Sequence, residues 1–123
     1  MKFSDVIQSA DWKAEKHVPV INAPETITAG EKFTLSVSVG EEIPHPDTVE
    51  HHIRWIQLFF KPADGKFAFD IGKFEFNAHG EGPVVGDPVA VTKIKLQTGG
   101  SIIASAYCNI HGLWENDREI KVV

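Results

Sequence analysis

Hydrophobic and polar residues alternate along parts of the chain, a pattern typical of strands that bury one face. Between residues 33 and 39, one phenylalanine, one leucine and two valines alternate with threonine and serine. Residues 89–97 alternate in the same way, with Ala90, Ile94 and Leu96 on one face and lysine side chains on the other. Both segments are therefore predicted to be strands with one face toward a core.

Other apolar runs predict further short strands, separated by turns rich in glycine and proline. These runs lie near residues 26–28, 52–60, 67–71, 73–76, 102–107 and 118–123. The run at 52–60 has too few polar residues for strict alternation, which predicts a central strand buried on both faces. A hairpin turn is predicted at residues 98–101, which read Thr-Gly-Gly-Ser.

A short helix is predicted over residues 3–12, because Ser4 can cap its first turn and apolar residues recur there at helical spacing. The fold class predicted from the whole pattern is all-β. It is an immunoglobulin-like antiparallel β-sandwich of about seven strands, with a short N-terminal helix. A length of 123 residues with 42% apolar content predicts a single domain that spans residues 1–123.

Composition and charge argue against several classes of protein. The net charge is −5 and no block is rich in lysine or arginine, so a nucleic-acid partner is not expected. No run approaches the roughly 18 apolar residues of a membrane span. The polar residues after Met1 predict no secretory signal, and a single unpaired cysteine suits a reducing compartment. We therefore expect a cytoplasmic protein with no membrane partner.

Candidate chemistry centres on Cys108, the only cysteine, which two residues separate from His111 at the end of an apolar run. A thiolate and an imidazole at this spacing form half of a metal site, in a place where loops present ligands. His17, His45 and His51 lie in similar loops upstream and offer the other half. The alternative for the isolated pair is a buried structural cysteine near an unrelated histidine.

The donor inventory leaves the metal open. A closed tetrahedral zinc site takes four ligands, which one thiolate and four imidazoles exceed. A blue-copper site takes two histidines, one cysteine and a weak axial ligand, and the only methionine is Met1, far from Cys108 in sequence. The full set suits a five-coordinate iron with its sixth position free. The competing interpretations are a cupredoxin-like copper electron-transfer protein and a non-catalytic sandwich domain with a structural metal.

Three motifs together resemble the superoxide reductase family, which includes neelaredoxin and desulfoferrodoxin. They are Glu15-Lys16-His17-Val18-Pro19, then Ile43-Pro44-His45-Pro46 followed by His51-His52-Ile53-Arg54-Trp55-Ile56, and Cys108-Asn109-Ile110-His111-Gly112-Leu113-Trp114. The motifs span the chain and stand in the family's order. No four-cysteine segment precedes them, so the chain resembles the one-iron, neelaredoxin type.

The resemblance implies one iron per chain, in a square-pyramidal site. The implied ligands are His17, His45, His51 and His111 in the equatorial positions and Cys108 in the axial position. Glu15 matches the carboxylate that occupies the sixth position in the oxidised form, and Lys16 matches the basic residue beside the open face.

The implied activity is that of an enzyme that reduces superoxide to hydrogen peroxide. A rubredoxin-like protein is the implied electron donor, and several members of the family form homotetramers. Two histidines lie outside the implied ligand set. His52 is expected to point away from the ligands and to be structural. His79 is expected to be a solvent-exposed loop residue.

Overall fold

The computed structural model describes every residue from Met1 to Val123 and is built almost entirely of β-strands. The only helical element is a three-residue 3-10 helix at Phe3–Asp5. The strands are β1 (Pro19–Asn22), β2 (Thr26–Ile27), β3 (Phe33–Val39), β4 (Ile53–Pro62), β5 (Phe69–Glu75), β6 (Val89–Ile94), β7 (Gly100–Cys108) and β8 (Gly112–Val122). The all-β class predicted from the sequence is confirmed.

The strands form two sheets. One has three strands in the order β1-β3-β6, and the other has five in the order β2-β8-β7-β4-β5. Every pairing is antiparallel except the short parallel contact between β2 and β8. The two sheets share one hydrophobic cluster, because the alternating strands turn their apolar faces toward each other.

That shared cluster fixes which face of each strand is buried. In β3, Leu35 and Val37 are completely buried, as their alternation with polar residues predicts. In β7, buried and half-buried residues alternate over the whole strand and end on buried Cys108. The strand that carries the cysteine is therefore anchored in the core, and the sulfur lies at its edge.

Strand β4 differs from the prediction that both of its faces are buried. It lies between β7 and the edge strand β5, but only one of its faces is fully covered, while Trp55 and the residues that alternate with the core positions are half-buried. The outer face is covered by side chains alone. Trp55 stacks on Tyr107 of β7 with ring centroids 5.8 Å apart, and the Lys73 ammonium lies 5.0 Å from the Trp55 ring.

The helix predicted over residues 3–12 is also wrong beyond its first turn. Gln8 instead forms an isolated parallel bridge to Trp114 of β8. Its backbone N–H donates to the Leu113 carbonyl at 3.0 Å, and its carbonyl accepts from the Glu115 N–H at 2.8 Å. Pairing with a distant strand therefore overrides a local helical preference, which is worth only tenths of a kcal/mol per residue.

The hairpin predicted at residues 98–101 is likewise absent, because the strands on either side of it belong to different sheets. Strand β6 pairs with β3, whereas β7 pairs with β4 and β8. The segment thus carries the chain from one sheet to the other. Glycine-rich turn chemistry marks the change of direction but does not determine which strand is the partner.

The hairpin that matters for the site joins β7 and β8. Its loop is Asn109–Ile110–His111, and it is closed by the pair Cys108 and Gly112. Gly112 has a φ of 81°, the left-handed conformation that commonly closes a three-residue hairpin loop. This short loop places Cys108 and His111 side by side.

The long loop between β3 and β4 carries His45 and depends on Gly40. Gly40 has a φ of 86°. A Cβ atom there would collide with the backbone nitrogen of His45 and lie 2.9 Å from the Ile43 carbonyl oxygen. The loop therefore folds back tightly on the end of β3, and this return brings His45 into the protein.

We predict that Gly40→Ala destabilises the protein by about 2 kcal/mol or more, because it combines a left-handed backbone with a steric collision. Gly82→Ala is the matched control, since no atom lies within 4 Å of a Cβ built there. Its free energy of unfolding should change by less than about 1 kcal/mol. Urea unfolding of both variants makes the comparison, and equal stabilities would contradict the assigned role of Gly40.

Candidate metal centre

Three separate segments converge at one end of the molecule. The turn before β1 brings His17, the loop between β3 and β4 brings His45 and His51, and the β7–β8 hairpin brings Cys108 and His111. The donor atoms of the first four all lie within 4.8 Å of one another. The five residues singled out from the sequence are therefore neighbours in space.

The four imidazole rings form a closed quadrilateral. Consecutive ring centroids are separated by 4.9 Å from His17 to His45, 4.6 Å from His45 to His51, 5.0 Å from His51 to His111 and 4.7 Å from His111 to His17. The diagonal between His17 and His51 measures 6.1 Å. The rings thus surround one point instead of stacking in a row.

The nitrogens that face this point are close together. His111 Nδ1 lies 3.1 Å from His17 Nε2 and 3.3 Å from His51 Nε2. Adjacent ligands at right angles about a metal, each about 2.1 Å from it, are about 3 Å apart. The spacing of these nitrogens matches that of neighbouring ligands on one cation.

Cys108 lies on the interior side of the imidazole ring set. Its side chain is 1% exposed and belongs to the hydrophobic core cluster, whereas His111 is exposed. Its Sγ lies 3.8 Å from His111 Nδ1 and accepts a hydrogen bond from the His111 backbone N–H at 3.4 Å. The site therefore has a buried, sulfur-bearing side and a side toward solvent.

Two of the imidazoles are oriented by partners on their outer nitrogen. His17 Nδ1 lies 2.5 Å from Glu15 Oε1, and His45 Nδ1 lies 2.7 Å from the Pro46 carbonyl oxygen. A carbonyl can only accept, so His45 Nδ1 carries the proton, and the carboxylate favours the same tautomer for His17. Each Nε2 then presents a lone pair to the site, as histidine ligands of metals do.

His45 Nε2 provides the test of whether a metal fits. It is a buried side-chain polar atom without any hydrogen-bond partner. An unsatisfied buried acceptor costs about 1–3 kcal/mol. A cation bound at the centre of the quadrilateral would satisfy this lone pair, and four imidazoles with one thiolate offer more donors than a tetrahedral zinc site uses.

The environment favours the neutral form of two of these imidazoles, the form that metal binding requires. Burial lowers the pKa of His45 to about 4, despite the opposing hydrogen bond to Pro46. The pKa of His51 is also lowered, first by burial and then by electrostatic interaction with His111 and Lys16. The hydrogen bond from His17 lowers the pKa of the Glu15 carboxyl group.

Glu15 and Lys16 lie at the rim of the site. Glu15 contacts the outer nitrogen of His17, so in this structure its carboxylate is not among the donors grouped around the centre. Lys16 is half-buried, and its positive charge contributes to the lowered pKa values of His45 and His51. A cationic side chain therefore stands close enough to influence the ligand nitrogens.

Trp114 supports the site in a way that the sequence motif alone did not reveal. Its indole stacks on the His17 ring, with centroids 4.9 Å apart and planes inclined by 14°. Its Nε1–H donates to the His111 carbonyl at 3.2 Å. One buried side chain thus fixes two of the four imidazoles, one by packing and one by a hydrogen bond.

His79 is not the exposed loop residue that was expected. It is buried and stacks on His52, with ring centroids 3.6 Å apart, and its Nδ1 lies 2.7 Å from the Asp47 carboxylate. His52 is buried as well, and its Nδ1 donates to the Thr48 carbonyl at 2.8 Å. This second histidine pair packs behind the ligand-bearing loop and attaches the segment around His79 to it.

Comparison with known proteins shows which family the chain belongs to. The sequence profile described as Desulfoferrodoxin matches residues 9–117. The chain belongs to the desulfoferrodoxin family. The family predicted from the three motifs is therefore confirmed. In the structure, no helix is long and apolar enough to cross a lipid bilayer.

Individual members of the desulfoferrodoxin family are similar to this chain over nearly its whole length. Neelaredoxin from Megalodesulfovibrio gigas is 47% identical over 98% of this chain and 98% of its own. Superoxide reductase from Pyrococcus furiosus is 50% identical over 93% of this chain and 95% of its own. The solved structure of superoxide reductase (neelaredoxin) from Archaeoglobus fulgidus in the reduced form superimposes with a TM-score of 0.87, at 46% identity, and covers 94% of this chain and 98% of its own.

We predict that the metal-free protein loses stability as the pH falls from about 6.5 to about 4. In this window the unfolded chain protonates His45, whose ordinary pKa is 6.5, whereas the folded chain does not until about 4. The unfolded state then binds more protons, so the free energy of unfolding decreases as the pH drops. Urea unfolding at several pH values in the presence of a chelator measures this slope.

The variant His45→Gln is the control for this pH dependence, because glutamine does not titrate. Its slope between pH 6.5 and 4 should be smaller than that of the wild-type protein. If the two slopes were equal, another group would be responsible for the effect.

Proposed function

We propose that this protein is a superoxide reductase with one iron per chain, bound by His17, His45, His51, His111 and Cys108. The observation that carries the proposal is the quadrilateral of four imidazoles above one buried thiol, in which His45 Nε2 has no partner. Relatives that cover nearly the whole chain carry the name superoxide reductase, which supports the same reaction.

The reaction consumes one superoxide anion, one electron and two protons, and yields hydrogen peroxide. Bound iron supplies the one-electron redox chemistry. Cys108 would supply the thiolate that holds the iron, and the hydrogen bond from the His111 backbone N–H to Cys108 Sγ would moderate its electron donation. The solvent-exposed side of the site lets water deliver both protons.

Lys16 is proposed to guide the substrate. Superoxide is an anion and the protein carries a net charge of −5, so the overall field repels it. A local cation at the rim reverses this field at short range. Lys16 suits the task because it is half-buried beside the imidazoles and has no carboxylate partner among the ion pairs of the structure.

Glu15 is proposed to occupy the sixth position in the oxidised state. In this structure its carboxylate orients His17 through Nδ1, and it is about one-third exposed. It lies on the same turn as Lys16, so a shift of this turn would move both groups together. The Glu15 side chain would therefore orient His17 in one position and close the site in another.

The remaining features of the proposal concern the setting of the enzyme. An external one-electron donor, rubredoxin-like in character, restores the reduced site, since the donor set described here holds a single metal.

Residues 1–123 act as one domain with an immunoglobulin-like connection of its strands. A cytoplasmic location is supported by the single unpaired cysteine. A homotetramer is the proposed assembly, and superoxide is the proposed substrate.

A cupredoxin-like copper site is the rival proposal. It would use Cys108 and two histidines as ligands, so the other two imidazoles of the quadrilateral would not bind the metal. All four rings nevertheless surround the same point, with consecutive ring centroids 4.6–5.0 Å apart. The closed arrangement of four rings therefore favours iron.

The experiment that tests the proposal is metal analysis together with the variant Cys108→Ser. The wild-type protein should contain about one iron per chain and show a visible thiolate-to-iron absorption in its oxidised form. The serine variant should lose this absorption and at least tenfold of its superoxide reduction rate, because the sulfur ligand is gone. Copper or zinc in place of iron, or an unchanged visible spectrum, would refute the assignment.

The role of Lys16 has its own test. Lys16→Ala should slow the second-order capture of superoxide about tenfold and reduce its dependence on ionic strength, because local attraction is lost. Pulse radiolysis measures this rate. Lys13→Ala is the matched control, since Lys13 lies three residues away but directs its ammonium toward Trp12. If both variants slowed capture equally, net charge and not position would be the cause.

A further inference from the structure

Asn109 connects the two segments that supply four of the five proposed ligands. Its side-chain Oδ1 accepts a hydrogen bond from the His52 backbone N–H at 2.9 Å. Its Nδ2 donates to the Glu50 carbonyl at 2.9 Å, and its own backbone N–H donates to the His52 carbonyl at 3.2 Å. All three bonds end on the residues that flank His51.

The side chain of Asn109 is needed here because the regular strand pairing stops. The ladder between β4 and β7 ends at the pair Ile53 and Cys108, after which β7 turns into its hairpin loop. His52 and Asn109 would form the next pair, and one of their backbone bonds is present. In the other, the side-chain oxygen of Asn109 takes the place of a carbonyl, as asparagine often does at turns.

His51 is held from within its own loop as well. Its backbone N–H donates to Thr48 Oγ1 at 3.0 Å, and its carbonyl accepts from the Thr48 backbone N–H at 2.9 Å. Thr48 therefore fixes the local shape of the loop. Asn109 is what fixes this loop relative to the hairpin that carries Cys108 and His111.

We propose that Asn109 is a positioning residue that sets the separation between His51 and the Cys108 thiolate at the metal. The proposal rests on the proposed function, because it assumes that His51, Cys108 and His111 bind one metal. Asn109 follows Cys108 directly, and its hydrogen bonds reach both neighbours of His51. A change in the length or polarity of the Asn109 side chain is therefore transmitted to the ligands without an intervening flexible segment.

Only asparagine meets both requirements of this position. Aspartate keeps the acceptor for the His52 N–H but has no donor for the Glu50 carbonyl, toward which it would turn a negative oxygen. Alanine keeps the backbone bond alone. A graded series is therefore expected, in which wild type, Asn109→Asp and Asn109→Ala hold the two segments progressively less firmly.

The test uses the full chain loaded with Co²⁺, which reports on the thiolate through its sulfur-to-cobalt absorption and needs no turnover. Asn109→Ala should shift this absorption and weaken Co²⁺ binding about tenfold or more, as the loss of groups that orient ligands typically does. Asn109→Asp should give a smaller change in the same direction. Ile102→Val is the control for simple destabilisation, since it trims a fully buried side chain on β7 away from the hairpin.

The outcomes separate the proposals. An Asn109→Ala protein with the wild-type absorption and affinity would overturn the positioning role, and so would an equal spectral shift in Ile102→Val. If Asn109→Ala does not fold, the same measurement is made on Asn109→Asp. An unchanged sulfur-to-cobalt absorption in this variant would overturn the positioning role. A wild-type protein without any sulfur-to-cobalt absorption would instead refute the proposed metal site itself.

Discussion

The structure depends on bringing several ring nitrogens to one point. His17, His51 and His111 bring ring nitrogens within 3.1–3.3 Å, and His45 adds a buried nitrogen that has no hydrogen-bond partner. Protonation of His45 would turn this nitrogen into a donor, but burial opposes it and lowers the pKa of His45 to about 4. A buried lone pair without a partner is unfavourable unless a cation satisfies it, so the fold must impose this arrangement from outside the site.

The imposed geometry comes from several weak constraints that act on rigid elements. The ends of β4 and β7 are fixed by the sheet, and the three-residue hairpin after β7 leaves little freedom between Cys108 and His111. The loop with His45 is forced back by the conformation of Gly40. Because each constraint acts on a different segment, no single hydrogen bond has to hold the whole site in place.

Much of the site could be predicted from the sequence because its signals are local. A cysteine at the end of an apolar run, with a histidine close behind it, predicts ligands presented by a loop, and in the structure Cys108 and Gly112 close the hairpin loop that holds His111. His79 could not be predicted in this way, since its carboxylate partner Asp47 is 32 residues distant. The N-terminal helix failed for the same reason, because the partner of Gln8 is Trp114 at the opposite end of the chain. Local pattern thus predicted most of the strands, but not the contacts between distant elements.

The composition of the donor set also explains how an acidic protein can attract an anion. Four neutral imidazoles contribute no charge and the thiolate contributes one negative charge, so a divalent cation bound by all five groups retains a net positive charge. A site with several cysteine ligands would be neutral or negative with the same cation. The lowered pKa values of His45 and His51 favour the neutral form of these two imidazoles, and the Lys16 ammonium that helps to lower them adds a second positive charge at the rim. In the proposed site, attraction for superoxide and neutrality of His45 and His51 would therefore have a common electrostatic origin, which a greater number of thiolates would remove.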